Sequence, residues 1–296
     1  YDFDDYLNKF ISLGYEITII NSFLELRRHL KKMNGNLILH SHCTKSLLYT
    51  SLLYNYKSVH SCQVVLGLQS VSMHGFIKGN FINLINNICY YLQDGLIFSS
   101  LSVKNSLKNK ISNKGVVIYN HVSKPSISIS SENYIITVCR LSPEKNLIEL
   151  IDFFMCTDTD IHLYIVGDGP ELERLKKRSK GKESIKFLGF RDDIESLISK
   201  SMFYISTSKV EGLPMSILTA LSLEKPLLLS NIGPHRELIN GNGHTYDLGD
   251  IRDFKNKFNL MKKNINDYSN HSSKLFNEKF NKLTLTLLYK NYINKL

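Results

Sequence analysis

The sequence predicts an α/β protein in which two parallel-sheet domains face each other across a cleft. Three observations carry that prediction. Short β-branched runs recur along all 296 residues, amphipathic stretches of helical length lie between them, and a Ser-rich segment interrupts the alternation at residues 120–133. The apolar runs fall at residues 16–20, 36–40, 63–68, 95–99, 115–119, 134–139, 161–166, 185–188, 202–206 and 226–230. Apolar residues three and four apart mark helices at 146–154, 171–178 and 215–223. Ten strands exceed the usual open sheet of about 4–6, so two sheets are expected. The segment 120–133 carries five serines and one proline between two strand signals, and it reads as the interdomain connection, with the linker proper at 123–133. Residues 272–296 place Leu275, Phe276, Phe280, Leu283, Leu287, Leu288 and Ile293 at helical spacing and read as one long terminal helix.

Composition narrows the class. Hydrophobic residues at 43% and charged residues at 22% make disorder, collagen and coiled coil poor readings. No uninterrupted apolar run approaches the roughly 18 residues of a spanning helix, so no membrane crossing is predicted. Cys43, Cys62, Cys89, Cys139 and Cys156 are odd in number, scattered and never spaced as CxxC. Reduced core thiols in a cytosolic protein fit that pattern better than a zinc site or a disulfide framework. The chain opens on Tyr1, Asp2, Asp4 and Asp5 without a signal-peptide pattern, as expected of a fragment or of a chain that has lost a leading segment.

Lysine and arginine number 37 against 27 acidic residues, a formal +10. Residues 1–130 hold 13 basic and 6 acidic residues (+7), and the remainder 24 and 21 (+3). Arg27, Arg28, Lys31 and Lys32 share one amphipathic stretch. Nucleic acid, an anionic membrane face and a phosphate-bearing substrate all fit such charge, and so does a merely solvated basic helix. Nucleic acid is the weakest of these, because no helix-turn-helix, zinc-finger or aromatic RNA-binding signature is present.

The residues that carry chemistry cluster after the linker. The run at 134–139 leads into Arg140-Leu-Ser-Pro-Glu-Lys145, two cations at a turn that opens a helix, with Pro143 suited to its first position. Cations there oppose the helix dipole unless an anion lies between them, and a bound diphosphate would supply one. Pairing of Arg140 and Lys145 with Glu144 or Glu149 is the plain structural alternative. Next, Ile165-Val-Gly167-Asp-Gly169-Pro170 ends a strand in two glycines that permit close backbone approach to a ligand, with Pro170 starting a helix. Leu172 stands where GxGxxG needs its third glycine, so a nicotinamide cofactor is a weak reading. Phe187, Leu188, Gly189 and Phe190 then form a strand end whose exposed backbone can flank a flat base. Finally, Ser206 leads through Glu211-Gly212-Leu213-Pro214-Met215-Ser216 to Thr219, a strand running through an acidic loop into a helix. Free amides at Met215 and Ser216 make an anion site, and Glu211 can accept from sugar hydroxyls; a merely capped helix is the alternative.

Four such elements in this order resemble the family-4 retaining glycosyltransferases of the two-domain GT-B fold. The resemblance is strong over 135–248 and fainter over 36–120 and the terminal helix. It implies two Rossmann-like domains, an acceptor-side domain at 1–122 and a nucleotide-sugar donor domain at 134–271, with the helix at 272–296 crossing back to the first. It implies that Arg140 and Lys145 grip the donor diphosphate, that 187–190 flank the nucleobase, and that Glu211 contacts the transferred sugar. Gly167, Gly169, Gly212, Leu213, Pro214, Met215, Ser216 and Thr219 complete the implied donor site. In the front domain, Leu39-His40-Ser41-His42 resembles a strand-end His-x-His. Met73-His74-Gly75-Phe76 resembles the family's His-Gly-Phe turn, whose histidine faces the reacting sugar; a loop histidine without a role is the alternative for His74. The implied activity is retaining transfer of a hexose from a nucleoside-diphosphate sugar to a glycan or lipid-linked acceptor. O-antigen, capsule or lipopolysaccharide synthesis is the implied setting, with no metal and no cofactor beyond the co-substrate. The matching expectation is a cytoplasmic protein, peripheral on an anionic membrane, without a nucleic-acid partner.

Two departures bear on that expectation. The family's motif of two glutamates separated by seven residues starts at Glu211, but its second position is Thr219, where the family's glutamate typically holds the donor ribose. A charge-assisted hydrogen bond is worth about 1.5–3 kcal/mol and a neutral one about 0.5–1.5, so the expected penalty is about 1–2 kcal/mol. Glu224 lies past a full helical turn and does not substitute. The front domain also looks roughly 50 or more residues short of a full one. Asp158-Thr159-Asp160 resembles the metal-binding Asp-x-Asp of the other glycosyltransferase fold, but it precedes a strand instead of following one and reads as a solvated turn. A degenerate member that binds a sugar nucleotide without turnover stands as a second reading, and a GT-B epimerase or phosphorylase as a third.

Overall fold

Runs of Val, Ile and Leu too apolar to leave in water fold into two all-parallel sheets, each strand reached from the last by a helical crossover. The computed structural model describes residues 18, 20, 22–33, 37–54, 59–65, 76–157 and 159–296, with the side chains of 76–81 excepted. The front sheet runs β1-β2-β3-β4, from β1 (Leu37–Ser41), β2 (Val59–Val65), β3 (Gly95–Phe98) and β4 (Gly115–Val117). Its helices are α1 (Phe23–Lys32), α2 (Thr44–Ser51), α3 (Phe76–Leu92), α4 (Leu101–Asn105) and α5 (Asn109–Ser112).

The rear sheet contains β5 (Tyr134–Val138), β6 (His162–Val166), β7 (Ile185–Gly189), β8 (Tyr204–Ser206), β9 (Leu227–Ser230) and β10 (Gly243–Tyr246), in the order β10-β9-β8-β5-β6-β7. Its helices are α6 (Leu147–Met155), α7 (Leu172–Arg178), α8 (Ile194–Lys200), α9 (Met215–Ser222), α10 (Gly233–Arg236), α11 (Ile251–Lys263) and α12 (Ile265–Lys279), and α13 (Lys282–Ile293) ends the chain. Alternation along β5 puts Ile135 in one core and Tyr134, Ile136 and Val138 in the other. Burying each such side chain is worth about 1.5–3 kcal/mol, which holds the strand from both faces. Phe153 of α6 packs on Phe254 and Phe258 of α11, with ring centroids 4.1 and 5.2 Å apart.

Several elements differ from expectation. Strand β10 was not predicted, because Gly243-His-Thr-Tyr246 is short and carries no apolar run. Strand β2 begins at Val59, four residues before the expected run, and residues 66–68 of that run lie outside the described residues. Of the expected strand at 16–20, residues 18 and 20 have no regular structure and the others lie outside the described residues. Pro170 sits in a turn, and α7 opens two residues later. Cys43 and Cys156 are exposed, so the core-thiol expectation fails for those two; all five cysteines are free. The terminal helix is broken at Phe280. There Asn281 caps a new helix, its side chain accepting from the amides of Leu283 (2.8 Å) and Thr284 (3.3 Å).

That break lets α13 cross to the front sheet. The Tyr292 hydroxyl donates to Lys114 O (2.7 Å) and accepts from the Leu96 amide (2.9 Å). The other crossing runs beside it: Tyr119 meets the Phe280 ring edge-on at 5.2 Å, and His121 Nδ1 lies 3.4 Å from Phe280 O. Beyond residue 123 the connecting segment is bound to the rear lobe. Lys124 pairs with Glu224 (2.9 Å), the buried Lys225 ammonium donates to Ser130 O (2.8 Å), and the Glu132 amide donates to Lys200 O (2.7 Å). Among the described residues no helix is long and apolar enough to cross a membrane.

Candidate active site

The order of the rear sheet reverses between β5 and β8, and in open parallel sheets ligands bind outside the carboxyl ends of the strands at such a reversal. The loops leaving those two strands carry Arg140 to Lys145 and Glu211 to Ser216. After β5, Pro143–Lys145 forms a single 3-10 turn, and Asn146, at φ 53°, redirects the chain into α6. The helix therefore opens at Leu147 and not at Pro143, which starts the 3-10 turn instead. The β8 loop clamps that turn. Thr207 Oγ1 lies 2.9 and 3.1 Å from the carbonyl oxygens of Lys145 and Asn146, and the Lys209 amide donates to Glu144 O (2.8 Å).

This clamp brings Lys145 to Glu211. The ammonium donates to Glu211 Oε1 at 2.6 Å, and the two side chains are only 18% and 11% exposed. The alternative partners are occupied elsewhere: Glu144 accepts from the Ser142 hydroxyl (2.5 Å), and Glu149 accepts from Asn146 Nδ2 (2.6 Å) and the Gly249 amide (2.9 Å). With Val138, Cys139, Tyr204, Ser206, Pro214, Met215 and Ser216, the pair lines a cleft of about 250 Å³. Arg140 is exposed at the same strand end; its carbonyl accepts from the Ser142 amide (3.0 Å), while its guanidinium makes no hydrogen bond or salt bridge among the described residues. Helix α9 begins at Met215 with Pro214 as its N-cap and no capping side chain, so its first-turn amides are left to solvent or a ligand. Burial pushes the Cys139 thiol up to about 11, which keeps it protonated.

Three residues that sequence reasoning passed over hold this arrangement. Tyr204 is fully buried; its hydroxyl accepts from the Val138 amide (3.1 Å) and lies 3.0 Å from Val138 O and 2.9 Å from Ser216 Oγ, tying the end of β5 to the start of α9. His235, also fully buried, sets Nδ1 3.0 Å from both Ser230 O and Ser230 Oγ. Because Ser230 Oγ donates to Ser208 O, both contacts accept, which assigns the proton to Nδ1. Burial lowers the His235 pKa to about 4, opposed by the nearby Glu211 carboxylate. Glu237 reaches the front lobe: it accepts from the amides of Leu101 (2.9 Å) and Ser102 (2.6 Å) at the start of α4 and from the Tyr119 hydroxyl (2.9 Å). Gly233 makes that approach possible, since a Cβ there would lie 1.9 Å from Ser102 Oγ. None of the three stood in a motif; a glutamate just after a Gly-Pro helix start was the one available signal.

The remaining candidates divide. Gly167 (φ 127°) and Gly169 approach backbone of the chain itself, because a Cβ would lie 2.0 Å from Cys139 O and 2.4 Å from Leu141 O respectively. Phe187 and Leu188 pack into opposite cores, leaving Gly189 (φ 67°) and the exposed Phe190 facing outward. Leu213 is buried, and Gly212 lies in the same loop. Thr219 Oγ1 donates to Met215 O one turn back (3.1 Å). His74 and Asp158 lie outside the described residues. His40 packs against Tyr289 and His42, and burial lowers its pKa. Among the described residues, no three His, Cys, Asp or Glu side chains are grouped to hold a metal.

The model of the family described as glycosyl transferases group 1 matches residues 122–277, a span containing every rear-lobe group described above. The chain belongs to that family. The O-antigen biosynthesis glycosyltransferase WclY of Escherichia coli is 22% identical over 97% of this chain and 86% of its own length. An uncharacterized glycosyltransferase of Methanocaldococcus jannaschii is 24% identical over 79% of this chain, which spans 66% of that protein. Among solved structures, Anabaena HepE in complex with UDP superposes with a TM-score of 0.80 at 17% identity, covering 93% of this chain and 82% of HepE. At that identity the likeness is one of fold, and the fold of this glycosyltransferase is GT-B.

Proposed function

We propose that this glycosyltransferase moves a hexose from a nucleoside-diphosphate sugar to a glycan or lipid-linked acceptor, with retention, in the assembly of a bacterial surface polysaccharide. The observation that carries this reading is the Lys145–Glu211 pair set against the uncapped first turn of α9 at the sheet reversal. As the glycosidic bond breaks, negative charge grows on the departing diphosphate. Preorganised donors aimed at that charge lower the barrier most. Lys145, the amides at Met215 and Ser216, and the exposed Arg140 supply such donors, so charge compensation needs no metal. Glu211 gives up Lys145 to the phosphate and accepts from hydroxyls of the transferred sugar. The transition state is oxocarbenium-like, and the leaving phosphate takes the acceptor's proton on the same face. The UDP bound by HepE supports a nucleoside-diphosphate donor, and the O-antigen role in WclY's name supports the setting. The protein then works in the cytoplasm against membrane-linked acceptors.

Lys145→Ala is expected to cut turnover at least about a hundredfold, in the range seen when one transition-state donor is removed. Near-normal turnover in that variant sinks the mechanism. One observation favours a second reading: Thr219 turns its hydroxyl into its own helix and offers no carboxylate to a ribose. A degenerate protein that binds sugar nucleotides weakly is told apart by assaying transfer and hydrolysis across a panel of donors, where binding without any turnover selects it.

A further inference from the structure

Strands β5 and β8 flank the cleft, and they pair at one position, Ile136 with Tyr204, two residues short of Val138. The Cys139 amide turns to β6, where it donates to Val166 O (3.0 Å), so the amide and carbonyl of Val138 face β8 instead. Tyr204 meets them with its side chain. Its hydroxyl accepts from the Val138 amide (3.1 Å) and lies 3.0 Å from Val138 O. The ring is fixed in a core that also holds Val138, Ile217 and Leu221, while Tyr204 and Ser216 both reach the wall of the cleft that holds Lys145 and Glu211. The third contact of the phenol is Ser216 Oγ, at 2.9 Å, and that serine hydroxyl makes no other hydrogen bond among the described residues.

A tyrosine hydroxyl has one proton and two lone pairs, and three groups surround this one. The Val138 amide occupies one lone pair. If the phenolic proton goes to Val138 O, Ser216 donates to the phenol and turns only lone pairs to the cleft. If it goes to Ser216 Oγ, the serine proton is free to point into the cleft. Burial holds the Tyr204 phenol above its ordinary value, so it keeps its proton in both arrangements. A phosphate oxygen only accepts, and as a charged acceptor it draws the serine proton more strongly than a neutral phenol does. We propose that Tyr204 is a positioning residue that makes the Ser216 hydroxyl a hydrogen-bond donor to the diphosphate of the sugar nucleotide. The proposal rests on the reading of this cleft as the sugar-nucleotide site, and it adds to Lys145 and the α9 amides a neutral group aimed from the core. The two hydroxyls turn together, so neither serves the diphosphate without the other.

The test is calorimetry on the full chain with whichever of UDP, dTDP, GDP, ADP and CDP binds tightest, and with the matching nucleoside. Tyr204→Phe and Ser216→Ala are each expected to weaken diphosphate binding about tenfold, the loss of one hydrogen bond to a charged acceptor, and to leave nucleoside binding within about twofold. The double variant is expected to bind the diphosphate within about twofold of either single variant, because each change removes the same interaction. Unchanged diphosphate affinity in Tyr204→Phe overturns the proposal. So does an equal loss for the nucleoside, which marks a role in folding alone, and so do losses that multiply to about a hundredfold in the double variant. Ser216→Thr keeps the hydroxyl and is expected to bind the diphosphate within about threefold of the unaltered chain. Where Tyr204→Phe does not fold, equal diphosphate affinity in Ser216→Ala and Ser216→Thr overturns the proposal. Lys145→Ala separates this failure from failure of the transferase reading: if it weakens diphosphate binding while the hydroxyl variants do not, only the proposal falls, whereas an unaltered chain that binds none of the five diphosphates overturns both.

Discussion

Two glutamates of the rear lobe, Glu211 in the cleft and Glu237 at the junction with the front lobe, make opposite kinds of contact. Glu211 accepts from one flexible ammonium of its own lobe, whereas Glu237 accepts from two backbone amides and a phenol of the chain entering from the other. A lysine can swing to a phosphate and free its carboxylate for a sugar hydroxyl. Amides at a helix start cannot, so releasing Glu237 means separating α4 from α10. The difference teaches that a carboxylate's role in this lobe is set by the rigidity of its partners more than by its charge.

That contrast can be broken most directly by substitution. Glu211→Gln is expected to lower turnover about a hundredfold or more while shifting unfolding free energy by about 1 kcal/mol or less, since Lys145 can turn to water in the cleft. Glu237→Ala should do the reverse. It removes hydrogen bonds to a charged acceptor, each worth about 1.5–3 kcal/mol and partly replaced by water, so a loss of about 2–3 kcal/mol in chemical denaturation is expected, with turnover within about tenfold. If Glu237→Ala abolishes turnover at unchanged stability, the two residues are not distinct.

His235 sharpens the comparison, because its ring is buried near Glu211 while its helix carries Glu237. Below the ordinary imidazole value the unfolded chain takes up a proton that the folded protein refuses until about pH 4. The contribution of this group is intact above about pH 6.5 and falls by about 1.4 kcal/mol per pH unit as the solution is acidified below it. Denaturation at pH 7 and pH 5 should show the unaltered protein losing about 2 kcal/mol more than His235→Gln. Equal losses contradict a buried neutral ring. A smaller effect is expected at Thr219, where Thr219→Glu restores a carboxylate on the helix that carries the anion site. Nucleoside-diphosphate binding should tighten about tenfold, equivalent to about 1.4 kcal/mol, as measured by calorimetry. Unchanged affinity removes position 219 from the donor site.

Much of the frame was legible in local pattern. Eight of the strands in the two sheets coincide with apolar runs or overlap them closely, and α9 starts one residue after Pro214, because such signals reside within a few neighbouring residues. Strand β10 escaped because its four residues carry no apolar run and become a strand only beside β9. The break at Phe280 escaped because the apolar spacing continues through it while Asn281 caps a new helix. At the site, the spacing of Arg140, Lys145 and Glu211 was readable, but the choice of Glu211 over Glu144 as the lysine's partner depends on Thr207 clamping a turn 62 residues away. Tyr204 and Glu237 act through long-range hydrogen bonds that no local pattern encodes, and His235 bonds Ser230 only five residues back but in no motif that marks it.

The most direct measurement is the affinity of the unaltered protein and of Lys145→Ala for a nucleoside, its monophosphate and its diphosphate. Diphosphate binding should weaken at least about tenfold in the variant, the cost of one charge-assisted hydrogen bond, while nucleoside binding stays the same. Equal diphosphate affinity in the two proteins would show that the ammonium beside Glu211 does not hold the leaving group.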